Sequence, residues 1–538
     1  MTANPPHARA TSTTERTDDA TDVDVLVVGA GPTGLTAAAE ALRLGLTVRV
    51  VERKPERGVF SKALVVHART MEVFAVMGID GDIREAGTPF AALNLHFNNR
   101  KKRVHVDLLA QPWGDTAFPF WLSVPQHDTE RVLENRLRDL GGQVEWSTGL
   151  HRLEDHGTYV EATLVSDTDT DTDTEVIRAG WVIGCDGGRS TVREQAGIAL
   201  KRTGAGATFL LADVKTTSDL IENEGHMFLA PEGLLILVPM SEPRRWRMIA
   251  HVPSGAENLL ASVDAAQLDA LISDRAGITF GAHDVTWTSQ FDLSHGVADR
   301  FRSGRIVLAG DAAHIHSPVG GQGLNTGVQD AHNVMWRIAE SRAATPERAE
   351  KLLAEYESER QGTAGAMVGG VARMTALMTS PRFVARRIRS LIAPIVVSRP
   401  FVQAKLARSV GMLNLAYSRR RRIYDSGKWG AGHRLPNPKL RDGGRLYDRM
   451  STTGYSWVVF SNHVVTADAR DGGTPRWRGL PLVVLDESEL QHGESSPRST
   501  AVVLVRPDRY IAAVGTDRES LGYALPNRRQ LLLAGRGD

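Results

Sequence analysis

The chain has 538 residues, 42% of them apolar and 24% charged, with 64 Lys and Arg against 63 Asp and Glu for a formal net charge of +1. This exceeds the ~250 to 300 residues at which a single core stops growing, so two or three domains of ordinary globular composition are expected, and the balanced charge offers no whole-protein field to draw nucleic acid or an anionic membrane. The single cysteine, Cys185, excludes an internal disulfide framework, a multi-cysteine zinc site and a C-x-x-C redox pair.

Residues 1–22, rich in Pro, Thr and Asp and without an apolar core segment, read as a disordered arm and not as a secretory signal. No apolar run approaches the ~18 residues that span a bilayer, so a cytoplasmic protein without nucleic-acid or membrane partners is expected. Order begins at Val23. VDVLVVG predicts a strand, TGLTAAAEALRL a helix with Pro32 in its first turn and Gly45 past its end, and Thr47 to Val51 a second strand delivering Glu52.

Between the first strand and the helix stands Gly29-x-Gly31-x-x-Gly34. The first glycine permits a tight turn, the second lets backbone approach a pyrophosphate, and the third lets helix and strand pack closely. Glu52 is placed to accept from ribose hydroxyls and disfavours a 2′-phosphate there, so this site suits FAD or NAD(H).

Farther along, TERVLENRLRDLGG predicts a helix ending at a glycine pair, and strands follow around Val160 to Val165 and Val176 to Val182. The repeat from Asp167 to Thr174 suits a solvated hairpin tip. A second glycine stretch, GCDGGRST at Gly184 to Thr191, lies between the strand AGWVIG and the helix-like TVREQAG. Asp186 and Gly187 there suit close approach to a nicotinamide or flavin, while Arg189 and Arg193 fit a site or a plain surface equally well.

From residue 204 to about 296 the pattern is strand-rich (ATFLLADV, GLLILVPM, RWRMIAHV) with a helix near Ala265 to Arg275, a second and mostly antiparallel layer. The third stretch, LAGDAAHIHSPVGGQGLNTG at Leu308 to Gly327, reads as a strand end closed by Asp311, a loop containing Pro318, Gly320, Gly321 and Gly323, and a helix starting near Leu324 and Asn325. A helix N-terminus favours negative charge by about 0.3 to 1 kcal/mol, which suits a reduced, anionic flavin ring, with Asp311 on the ribityl chain. Asp311, His314 and His316 also admit a metal reading, but no further ligands are evident and no metal is expected. G-x-S-x-G is absent, which disfavours a serine hydrolase.

Glu347 to Arg422 reads as helical and increasingly basic, ending in four arginines taken as solvated. Beyond Tyr424 a Gly- and Pro-rich stretch leads to the strand-like SWVVF, LPLVVL and TAVVLV, a further α/β domain.

With HARTMEV at His67 to Val73 and PQHDTERVL at Pro125 to Leu133, the three stretches resemble the group A flavoprotein aromatic hydroxylases, the p-hydroxybenzoate and phenol hydroxylase family, over about Val23 to Arg360. Gly432-x-Arg434-x-Pro436 and LVRPDRYIAAVG resemble the thioredoxin-like C-terminal domain of the phenol, pentachlorophenol and polyketide hydroxylase branch. The resemblance implies an α/β fold: a Rossmann-like FAD-binding domain over 23–360 with an inserted antiparallel β substrate layer at about 88–118 and 204–297, a helical connection over 361–424, and a thioredoxin-like domain without C-x-x-C over 425–538. FAD contacts are implied at Gly29, Gly31, Pro32, Thr33, Gly34, Glu52, Arg53, Lys62, Gln126, Leu150, Asp186, Asp311, Pro318, Gly320, Gly323, Leu324 and Asn325. Lys62 stands where many relatives carry arginine, and Cys185 reads as a packed residue.

The implied activity is a monooxygenase consuming NADPH or NADH and O2, which hydroxylates a phenolic or polyketide-type aromatic through a flavin C4a-hydroperoxide. Baeyer–Villiger oxidation or epoxidation, and a non-catalytic flavin- and ligand-binding protein, are the alternatives. Halogenation is disfavoured because W-x-W-x-I-P is absent. Met227, Leu235, Leu237, Arg247, Pro318 and Gly321 are the expected substrate-pocket residues. No catalytic base is singled out among His226, His251, Arg247 and Tyr159. Oligomeric state stays open, a homodimer being compatible.

Overall fold

Val25, Leu26 and Val27 are fully buried, as an apolar run without polar alternation requires when it lies at the centre of a parallel sheet. In the computed structural model, Val23–Val28 pairs in parallel with Thr172–Gly184 on one side and Val48–Val51 on the other, and Ile306–Leu308 and Val144–Glu145 extend the sheet outward. The structure describes residues 21–59, 63–97, 102–167, 172–203, 208–230, 233–252, 263–292, 295–315, 320–379, 383, 387–417, 429–460, 469–471, 474–477, 479–491 and 501–515. The hairpin expected at the aspartate–threonine repeat is present: Val160–Asp167 pairs antiparallel with Thr172–Gly184, Asp167 opposite Thr172, and 168–171 lie outside the described residues.

Helix Pro32–Arg43 packs against helix Gly323–Ser341, and the two are joined by a buried carboxylate. Glu40 accepts from Arg43 Nε and Nη2, both at 2.8 Å, and from His332 Nδ1 at 2.9 Å. Burial alone would push its carboxyl up, but the charges of His332 and Arg43 outweigh it and hold the group at about 2.

The inserted layer is a seven-stranded sheet in the order His283–Asp292, Thr208–Lys215, Arg245–Val252, Gly233–Pro239, Glu224–Ala230, Ala92–Phe97, Lys102–Asp107. Every pairing is antiparallel except Glu224–Ala230 with Ala92–Phe97, so the expected antiparallel layer holds with one exception. One face packs on helix Ala265–Ala276, which begins in a capping box: Asp264 accepts from Gln267 N–H at 2.8 Å and Gln267 returns the bond at 3.0 Å. The opposite face merges into one core with the parallel sheet.

The helix Pro346–Thr379 runs unbroken through residue 360, so the domain and its helical connection are covalently continuous in one rod. The C-terminal part is a six-stranded sheet with Ser456–Phe460 at its heart, parallel to Leu480–Leu485 and antiparallel to Ala501–Val505. Among its described residues no α-helix flanks that sheet, so a thioredoxin-like arrangement stays a proposal resting on strand order.

The tail's two motifs turn out to be docking elements. Arg434 meets Glu72 at 3.0 Å and Asp115 at 3.1 Å, and Arg506 meets Glu359 at 2.6 Å and Asp508 at 2.5 Å, while Asn333 donates to Asp508 at 3.0 Å. These groups are almost wholly buried, where an ion deprived of its partner is expensive. Arg506→Ala is therefore expected to cost about 3 to 5 kcal/mol, read as a fall in the urea midpoint of unfolding. Because Glu40 has its folded value below the unfolded 4.5, its stabilisation is present above that pH and is lost as pH falls toward 2. Glu40→Gln should flatten this part of the acid-stability curve, and an unchanged slope would disprove the assignment.

Candidate functional site

The glycine loop separates two kinds of constraint. Gly29 sits at φ +104°, and a Cβ there would stand 2.5 Å from the Cys185 carbonyl oxygen; a Cβ on Gly34 would stand 1.8 Å from the Gly29 oxygen. The chain's own backbone forbids a side chain at both. A Cβ on Gly31 would meet nothing within 4 Å, and no side chain caps the helix that starts at Pro32. The first-turn N–H groups of that helix therefore face an open cradle, which is the donor set a diphosphate needs.

Glu52 borders the cradle. Its Oε2 accepts from Ala30 N–H at 3.0 Å and its Oε1 from Lys54 N–H at 3.1 Å, leaving lone pairs on both oxygens for ribose hydroxyls. Arg53 is exposed beside it, its Cβ 3.5 Å from the place of a Cβ on Gly149, and Leu150 follows, half-buried opposite Leu164.

The second and third stretches meet the first directly. Thr33 Oγ1 is wedged between two glycines of the third: a Cβ on Gly310 would lie 2.5 Å from it and a Cβ on Gly327 2.2 Å. Arg193, buried, donates to Ala312 O and Gly188 O at 3.0 Å each and so ties the second stretch to the third, whereas Arg189 is exposed. Cys185 packs under Gly29 and Gly34; burial and the carboxylates of Asp186 and Asp330 push its thiol up, as befits a packing residue.

Asp186 is held in place: its carboxylate accepts from Ser190 Oγ at 2.5 Å and Val192 N–H at 3.0 Å and so braces the start of helix Thr191–Gln195. Asp311 is exposed, with an oxygen 3.9 Å from the place of a Cβ on Gly323, at the uncapped start of helix Gly323–Ser341. Beneath it Asp330, fully buried, accepts from Gly310 N–H at 3.0 Å, His314 Nε2 at 2.5 Å and Arg360 Nε at 2.6 Å. Burial opposes its charge, but Arg360 and His314 prevail and lower its carboxyl. His314 is thus spent on Asp330, so the metal reading of Asp311 and His314 does not hold; His316 lies outside the described residues.

Lys62 and Pro318 also lie outside the described residues. Gly320 and Gly321 have φ of +93° and +61°, the left-handed region that only glycine enters freely. Asn325, expected to touch flavin, fastens the loop with its side chain: Oδ1 accepts from His67 N–H at 2.8 Å, and Nδ2 donates to Val65 O and Gly321 O, both at 2.7 Å. Leu324 is half-buried beside it. His67 contacts Gly320 O through Nε2 at 2.8 Å, and burial lowers it to about 4, so the ring is neutral and donates there. Gln126 accepts from Ala63 N–H at 3.3 Å and donates to Glu130 at 2.8 Å, which fixes the residue following Lys62.

On the inserted sheet, strand register decides which residues face this junction. Leu234, Ile236 and Val238 join the main core with Leu211, Ile249 and Leu95, and Met227, opposite Ile236, is half-buried in the same wall. Leu235 and Leu237 instead pack with Trp246, Met248 and the helix on the far face, so they are not pocket residues. Gly233–Pro239 is buried at every position, and the period-2 signal that would have told the faces apart is missing from such a strand. His226 belongs to the far face with Phe228, and Tyr159 stacks on His156 in the hairpin of the parallel sheet, so neither is a base here. His251 and Arg247 are on the near face. Arg247 is 2% exposed and pairs through two 2.7 Å bonds with Asp213 beside Trp287; sequence reading singles out Arg247 but not Asp213, which no motif surrounds.

The glycine geometry gives a paired expectation. Gly31→Ala should fold with unchanged unfolding midpoint yet lose at least about tenfold in FAD affinity, since it removes backbone access that Cβ would fill. Gly34→Ala should fail to accumulate as folded protein. Retention of flavin by Gly31→Ala, measured by absorbance after gel filtration, would refute the cradle.

Residues 22–370 match the family described as FAD binding domain. The chain is 31% identical to 6-methylpretetramide 4-monooxygenase of Streptomyces rimosus, covering 91% of this chain and 90% of that one, and 31% identical to pentachlorophenol 4-monooxygenase of Sphingobium chlorophenolicum, covering 93% and 95%. Among solved structures, OxyS anhydrotetracycline hydroxylase from Streptomyces rimosus superposes with a TM-score of 0.73 at 28% identity, covering 93% of this chain and 98% of that one. The chain belongs to the group A FAD-dependent hydroxylases, a family of flavin monooxygenases whose FAD the glycine cradle fits.

Proposed function

We propose that this monooxygenase hydroxylates a phenolic or polyketide-type aromatic ring, using NADPH or NADH and O2. The observation that carries the reading is the continuity of one apolar core from the three-stretch junction to the near face of the inserted sheet, a wall suited to a flat aromatic body. The reading is supported by similarity, over more than nine-tenths of this chain, to relatives named for 6-methylpretetramide, anhydrotetracycline and pentachlorophenol.

Bound FAD supplies the redox chemistry: it takes reducing equivalents from NAD(P)H and activates O2. The chain's residues do the rest. The N–H groups of Gly31, Thr33 and Gly34 would hold the diphosphate, Glu52 would accept from the ribose, and Asp311 would serve the ribityl chain. The uncapped start of helix Gly323–Ser341 favours negative charge at the ring. Met227, Ile236, Ile249 and Leu211 exclude water from the reacting side, and Arg247, neutralised by Asp213, closes one end of that wall without presenting a net charge. The C-terminal sheet, thioredoxin-like in our reading, takes no thiol redox part, because the sequence has no cysteine beyond Cys185. We place the enzyme in the cytoplasm, the compartment that supplies NAD(P)H.

The test mixes flavin-loaded protein with each nicotinamide and a panel of phenols and polyketide intermediates, following nicotinamide oxidation and product mass. A gain of one oxygen on an intact ring is expected; ring expansion indicates Baeyer–Villiger chemistry, and no stimulated oxidation by any compound overturns the reading. Ile236→Ala should alter KM by about tenfold with FAD content unchanged, since a lost wall contact is worth about 1 to 3 kcal/mol. Leu235→Ala should instead cost about 2 to 5 kcal/mol of stability without a selective effect on KM.

A further inference from the structure

Of the ten large apolar side chains exposed among the described residues, six fall between residues 383 and 401: Phe383, Leu391, Ile392, Ile395, Val396 and Phe401, at 45 to 73% exposure. Monomer surfaces rarely gather such groups without a use for them. The local backbone explains how they collect. Ile388–Ile392 and Ala393–Val397 form a short helical rod, with Pro400–Val410 beyond a break. Ala393, Val397 and Ala407 turn inward to the main core, and Pro394 is buried, which leaves the other side of the rod to water.

A second observation names the occupant. From Arg360 to Tyr424 the sequence holds thirteen Lys or Arg and no Asp or Glu. Some of these cations are committed inside, as Arg360 is to Asp330 and Arg408 to Asp115. Arg387, Arg399 and Lys405 are exposed around the apolar face, and the Arg387 guanidinium lies over the Phe383 ring at 4.9 Å. A second copy of this face would set cations against cations. A bilayer with anionic headgroups offers apolar depth for the side chains and negative charge at the height of the arginines.

We propose that this face, carried by Phe383, Arg387 and the helices over 388–410, docks the enzyme peripherally on anionic phospholipid. No helix among the described residues is long and apolar enough to cross a membrane, so the contact is interfacial. The docking face adjoins the edge of the inserted sheet: Gln403 Nε2, on Pro400–Val410, lies 3.5 Å from the carbonyl oxygen of His105, on the outermost strand. Docking is independent of which aromatic compound is oxidised, so the membrane test and the substrate test fail separately.

The experiment mixes flavin-loaded full-length protein with vesicles of phosphatidylcholine alone or with one-third phosphatidylglycerol, and measures co-flotation. Binding to the anionic vesicles is expected to be at least about tenfold tighter and to weaken as salt is raised. Ile392→Asp with Ile395→Asp should lower it at least about tenfold while flavin absorbance and unfolding midpoint stay unchanged. Arg387→Glu with Arg399→Glu should abolish the preference for phosphatidylglycerol. Failure of the wild type to float with anionic vesicles overturns the proposal, as does equal flotation of the aspartate variant. Sedimentation velocity without vesicles supplies the remaining arm: a wild-type dimer that the aspartate variant converts to monomer identifies the face as a contact between copies and overturns the lipid assignment.

Discussion

The close approach of backbone to backbone where Val28, Cys185 and Gly310 come together is the constraint on which the molecule rests. Three chain segments far apart in sequence reach the same point, and four of their glycines have no room for a side chain: Gly29 against Cys185, Gly34 against Gly29, Gly310 and Gly327 against Thr33. Arg193 then spans from Gly188 to Ala312. Such contact requires the strand ends to share one rim, which the parallel order of the sheet provides. The cradle at Gly31 is open because everything around it is shut.

Ionisable groups inside the body serve assembly more than chemistry. Glu40, Asp330, Glu359 and Asp508 are buried carboxylates, and each is held charged by cations packed against it. They join helix to helix, turn to helix, and tail to body. A strongly shifted carboxyl here marks a junction between elements, a reminder that perturbed titration accompanies structural ion networks as well as active sites. The near face of the inserted sheet, by contrast, is mostly apolar where it joins the main core, with Arg247 there paired to Asp213.

Much of this was legible from the chain. The strand–helix–strand opening, the hairpin at the aspartate–threonine repeat, the interrupted layer and the helix after the third glycine stretch follow from periodicity and from Gly and Pro placement. Side-chain assignments within the site were less legible, because residue type names a capacity and only packing names a partner. Asp186 and Asn325 have the right donors and acceptors for a cofactor, but residue type alone does not reveal the hydroxyl, N–H and carbonyl groups that also bond their side chains. Leu235 and Leu237 could not be told from Leu234 and Ile236 in a strand buried throughout. The net charge of +1 likewise concealed a 65-residue stretch without a single acid.

The anchoring of the tail through Arg506 and Asp508 reaches helix Gly323–Ser341, the same rod whose first turn borders the flavin loop. Asn333 and Arg337 on that rod, Glu359 on the next and Arg69 near the third-stretch loop are the sockets. Body and tail are therefore a matched lock: a chimera grafting the last hundred residues of a relative onto this body must carry the complementary sockets along with the key, or exchange both as a unit.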